Sequence, residues 1–131
     1  MGTCYKGGAD HYHSISENLP ALKSKYHYEN GYFGTKGDSS TNSRVRHIAS
    51  EDPVLTANEF YNRATYGGIE TLIYDKNSNV IGHKTNLEDG SVISWRNVSR
   101  SDGSPAVDIN IEKSSNSGGI KQQKIHFVKE K

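Results

Sequence analysis

The sequence predicts an α+β fold: one or two N-terminal helices packed on a four- to five-stranded antiparallel sheet. The apolar pattern changes period, because an amphipathic segment over 55–68 gives way after Gly67-Gly68 to runs that alternate apolar and polar residues. Those runs, at 70–75, 79–85, 91–99, 106–112 and 122–128, are separated by the turn-forming stretches KNSN, LEDG, RSDGSP and KSSNSGG. Connections that short favour antiparallel neighbours. The chain has 131 residues and 32% apolar residues, below the usual 45–50% or so, and a mean hydropathy of -0.80. One domain with a thin core and long polar loops follows.

Residues 1–10 read as a linker or leader, and residues 11–131 as a single domain. Cys4 is the lone cysteine, so no internal disulfide framework exists. Residues 11–30 are rich in Tyr and His and carry a short helix expected over 17–26, with Pro20 in its first turn, where a missing N–H costs little. The Gly, Ser and Asn content of residues 31–43 is that of a surface loop. The second helix is expected over 55–68. Thr56 and Glu59 have the spacing of a capping box, Leu55 and Phe60 that of a hydrophobic staple, and Gly67-Gly68 would end it. Phe60, Tyr61 and Ala64 form the stripe that lies on the sheet, and Tyr66 joins Tyr61 as a core or rim residue.

Alternation then divides the sheet into two faces. In SVISWR, Ile93 and Trp95 point one way and Ser94 and Arg96 the other; in AVDINIE, Val107, Ile109 and Ile111 oppose Asp108 and Asn110. In KIHFV, Ile125 and Phe127 go inward while Lys124 and His126 go outward. If the three runs are neighbours, their second face gathers Ser94, Arg96, Asp108, Asn110, Lys124 and His126. That set can bind a phosphodiester and move protons around it.

Lys and Arg total 16 against 15 Asp and Glu, for a net charge of +1. Attraction to nucleic acid must therefore come from local clustering, and the densest basic cluster is Arg44-Val45-Arg46-His47. No apolar run approaches membrane-spanning length. There is no H-E-x-x-H, no Gly-rich phosphate loop and no G-x-S-x-G elbow. His11 and His13 alternate without a Cys, Asp or Glu companion at ligand spacing, so neither a metal nor a cofactor is expected.

The helix ending in Gly67-Gly68, then DGSVISWR, VSRSDGSPAVDINI and KIHF, resembles the C-terminal nuclease domains of LXG-type polymorphic toxins from Gram-positive bacteria, over roughly 44–128. The resemblance implies a small domain of the barnase, EndoU, colicin and RelE group of metal-independent ribonucleases. It also implies secretion by a type VII system as part of a larger toxin, action in the cytoplasm of the target cell, and neutralisation by a cognate immunity protein. By that pattern Arg96, Ser99, Ser101, Asp108 and His126 are the carried-over site positions.

Cleaving RNA without metal requires a base for the 2′-OH proton, an acid for the leaving oxygen and donors for charge on phosphorus. His126 suits acid or base, since an ordinary imidazole titrates near physiological pH; a surface histidine on an edge strand is the alternative. Arg96 offers a forked donor to phosphate, or a salt bridge to Asp108, and the two are compatible. Asp108 could instead orient His126. Ser99, Ser101 and Ser104 set turn geometry or add donors to a phosphate pocket. His47 is a solvated loop residue or a second proton-transfer group, with Arg44 and Arg46 tracking phosphates; Lys124 and Ser94 complete the binding face. RNA is the expected substrate. A deoxyribonuclease using the same face, and a non-catalytic protein-binding domain, are the alternatives.

Overall fold

The computed structural model describes residues 11–37, 42–96 and 104–130. Along the chain these form α1 (Ile15–Lys23), β1 (Tyr28–Glu29), β2 (Tyr32–Phe33), β3 (Thr35–Lys36), β4 (Val45–Ser50), α2 (Pro53–Ala64), β5 (Ile69–Tyr74), β6 (Val80–Asn86), β7 (Val92–Arg96), β8 (Ala106–Asn110) and β9 (Gln123–Lys129). The fold is α+β with both helices, but the sheet is larger than four or five strands. Seven strands lie in the order β3-β4-β9-β8-β7-β6-β5, and β1 and β2 form a separate two-stranded ribbon. From β5 to β9 each neighbour is antiparallel, as the short connections require. The exception is β4, which runs parallel to β9 with His47 opposite His126.

The extra strands come from residues expected to be loop. Arg44 to His47 do not form a loop before the helix; Val45 to Ser50 are a strand, and β2 and β3 fall inside the Gly- and Ser-rich 31–43 segment. Alternation failed to mark β4 because one inward position is charged. Arg46 points to the helix side, where its guanidinium donates to the carbonyls of Phe33 at 3.1 Å, Gly34 at 3.0 Å and Ser43 at 3.3 Å, and lies over the Tyr32 ring. A cation so satisfied can occupy a position that periodicity reserves for an aliphatic.

Both helices start earlier than expected. Ser14 caps α1, and the capping box is Ser14 with Glu17: Glu17 Oε1 accepts from Ser14 N at 3.0 Å while Glu17 N donates to Ser14 Oγ. Pro20 consequently lies in the second turn, where the Ser16 carbonyl loses its usual donor. The cap of α2 is Asp52, followed by Pro53 at the first helical position. Thr56 does not form the expected box, since its hydroxyl pairs with Ser50 Oγ, and Leu55 is 53% exposed and forms no staple.

The two helices cover one face of the sheet. Ile15, Leu19 and Leu22 from α1 and Ala57, Phe60, Tyr61 and Ala64 from α2 meet Ile93, Val107, Ile109, Ile125 and Phe127 in one core. Each buried sheet aliphatic contributes about 1.5–3 kcal/mol. Gln123 ties the ribbon to that core: its Oε1 accepts from Phe33 N at 2.8 Å, and its Nε2 donates to the carbonyls of Gly31 at 3.0 Å and Lys121 at 2.7 Å. Trp95 packs on the core as expected of an inward residue, yet its Nε1 is buried without a hydrogen-bond partner.

Candidate active site

The face of the sheet opposite the helices carries two rows of residues, most of them polar, and strand register fixes their order. Where β4, β9, β8, β7 and β6 cross, one row reads His47, His126, Ala106, Arg96 and Gly82. The adjacent row reads Val45, Lys124, Asp108, Ser94 and Lys84. Alternation along each strand guarantees that every member of a row emerges on the same side.

The imidazoles of His47 and His126 meet edge to face, with ring centroids 5.8 Å apart. His126 is only 3% exposed, so this ring is closed off from solvent. His47 is half-buried and is the more accessible of the two. His126 Nδ1 lies 3.1 Å from Ser104 Oγ. That contact holds the ring plane and directs Nε2 away from the serine. Ser104 is thus one residue that orients His126. Asp108 stands opposite Lys124 and Ser94, one row away.

Asp108 is half-buried, and burial raises its carboxyl above the ordinary carboxylate range; the charges of Lys124, Arg96 and His126 act against that rise, in that order. The expected salt bridge between Arg96 and Asp108 is not made, and Arg96 influences the carboxyl at longer range. One carboxyl therefore lies within electrostatic reach of a lysine, an arginine and a histidine, all on the face away from the helices.

Beside the second row lies a cavity of about 360 Å³, lined among others by Arg44, Ser94, Asp108, Asn110, Gln122 and Lys124. It combines two cations with hydroxyl, amide and carboxyl groups, and its volume lies in the range of small-ligand sites, roughly 300–1,000 Å³. Arg44 is exposed at its rim. Arg46 is not part of it, because its guanidinium is consumed by the carbonyls on the other side of the sheet.

Of the residues singled out in the sequence, His47, Ser94, Arg96, Asp108, Lys124 and His126 come together on this face, with Arg44 at its edge; Arg46 does not. Ser99 and Ser101 lie outside the described residues. Gln122 and Lys84 were not foreseen. Gln122 stands two positions before Lys124 and was legible by the same alternation. Lys84 was hidden because its inward neighbours on β6 are His83 and Thr85, so no apolar alternation marks its face. Compared with protein-family models, with curated proteins and with solved structures, the chain gave no match.

Proposed function

We propose that this chain is a metal-independent endoribonuclease, and that it serves as the C-terminal toxin domain of an LXG-type polymorphic toxin. The observation that carries the chemistry is the side-by-side placement of His47 and His126, beside Arg96 and Lys124, on the face opposite the two helices. One imidazole takes the proton from a ribose 2′-OH as O2′ bonds to phosphorus. The other gives a proton to O5′ as the P–O5′ bond breaks, leaving a 2′,3′-cyclic phosphate and a 5′-OH. Arg96 and Lys124 bind the phosphate and offset the charge that accumulates on its oxygens. Ser104 holds His126 for the transfer, and the cavity walled by Asn110, Gln122 and Asp108 receives the neighbouring nucleoside.

The toxin assignment rests on the SDGSPAVDI and KIHF segments and carries its own partner: a cognate immunity protein that protects the producing cell. Export as part of a larger protein and action in the cytoplasm of a target cell belong to the same reading. The test is incubation of the purified protein with RNA in excess EDTA, followed by analysis of product ends. Cyclic phosphate termini are expected. Intact RNA with degraded DNA would replace the ribonuclease by a deoxyribonuclease, and intact RNA and DNA by a protein-binding domain.

A further inference from the structure

At the start of the described chain, His11, His13 and Glu17 each bring one donor atom to within 4.8 Å of the others. Glu17, four residues after His13, reaches the histidines through the helix cap. As the third residue of α1 it folds back toward Ser14, with Oε1 on Ser14 N at 3.0 Å and Oε2 2.9 Å from His11 Nε2. His11 and His13, two positions apart, bring their rings to 4.4 Å between centroids.

A second, independent observation concerns the tautomer of His13. Buried Asn18 donates from Nδ2 to the carbonyls of Ala64 at 2.9 Å and Tyr66 at 2.8 Å. Both partners can only accept, so the amide orientation is fixed and Oδ1 is the atom 3.0 Å from His13 Nδ1. Nδ1 must therefore carry the hydrogen, and the lone pair of the neutral ring sits on Nε2. An imidazole that donates one N–H to a fixed oxygen and presents the other nitrogen is the outer-shell arrangement of metal-bound histidine. The backbone around it is also held: His13 N donates to Gly67 O at 2.9 Å, and His13 O accepts from Glu88 N at 2.6 Å. Gly67, at φ +77°, leaves room for the ring, since a Cβ there would lie 2.4 Å from His13 Cγ.

We propose that His11, His13 and Glu17 form a binding site for a divalent transition metal, with Zn²⁺ the best match to two imidazoles and a carboxylate, tying the segment ahead of α1 to the body of the domain. In four-coordinate zinc, bonds of 2.0–2.1 Å or so place adjacent donors about 3.3 Å apart. His11 and Glu17 are exposed, so their side chains can take up the difference while His13 stays anchored. Three protein ligands leave a fourth position for water. The site lies apart from the His47 and His126 face, and its metal has no part in RNA cleavage.

The experiment titrates the metal-stripped protein with Zn²⁺ by calorimetry and with Co²⁺ by visible absorption. One equivalent is expected to bind, with a tetrahedral Co²⁺ spectrum, and a 100-fold excess over Kd should raise Tm by roughly 10 °C. His11→Ala and Glu17→Gln should each weaken binding tenfold or more; the glutamine keeps the helix cap, so loss of affinity is not loss of fold. His47→Ala should bind as the parent does. Absence of saturable binding, or binding lost in His47→Ala and kept in His11→Ala, would overturn the proposal. Cleavage of RNA in EDTA is measured separately and does not depend on this outcome.

Discussion

Replacing the two facing histidines singly and together is the most searching perturbation of the proposed chemistry. A positioned acid or base contributes about 10²–10⁴-fold, so loss of either imidazole should lower kcat/KM by about that factor, or roughly 3–5 kcal/mol in activation free energy. Register sets the two histidines directly opposite, with ring centroids 5.8 Å apart. If they serve the same step, removing the second after the first removes little more, and the double variant should fall far short of the product of the single losses. His126 is buried and bonded to Ser104, so truncation to Ala would cost about 1–3 kcal/mol of stability. His126→Gln, which keeps an amide near Ser104, is the preferred variant and His47→Ala its companion. The assay is steady-state cleavage of a fluorogenic RNA in EDTA, with Tm followed by circular dichroism. Folded variants that cleave within a few-fold of the parent, or losses that multiply, would refute the paired acid–base reasoning.

Asp108→Asn tests the electrostatics of the same face. Burial raises the folded carboxyl's pKa above its unfolded value, so the folded state binds more protons as pH rises from the unfolded pKa through the folded one. This contribution is therefore fully present below the unfolded pKa and lost across that window; the asparagine variant should lose that slope in urea unfolding and be the more stable protein at neutral pH. Arg44→Ala should leave Tm unchanged and reduce the salt dependence of single-stranded RNA binding by about 0.7 in log–log slope, one phosphate contact, while Arg46→Ala should destabilise by roughly 1–3 kcal/mol because three carbonyls lose their donor. Gln123→Leu should lower stability by about 2–4 kcal/mol in chemical denaturation, since Phe33 N and the carbonyls of Gly31 and Lys121 lose their partner.

The parts of the site that were legible in the sequence are those governed by local rules. Arg96, Asp108, Lys124 and His126 were placed on one face because side chains alternate along any strand, and the apolar partners Ile93, Val107, Ile109, Ile125 and Phe127 on the other face fixed the phase. The larger sheet was not legible. Its additional strands are short or carry Arg46 inward, and neither length nor pattern distinguishes them from loop. The helix starts were misplaced for a related reason: Thr56 and Glu59 match a capping box, yet Asp52 followed by Pro53 satisfies the end of α2 first, and the box forms instead at Ser14 and Glu17.

By itself the sequence determined the fold class, the facing of β7, β8 and β9, and the chemical inventory of the open side. Tertiary structure decided which groups became neighbours. His47 meets His126 only because β4 inserts parallel to β9 at the far side of the sheet, a pairing between distant segments that no short connection dictates. Ser104 bonds the histidine, and Glu17 reaches His11 through a helix cap. Periodicity records which way a side chain points, whereas the distance between two side chains depends on where the chain as a whole closes its backbone hydrogen bonds.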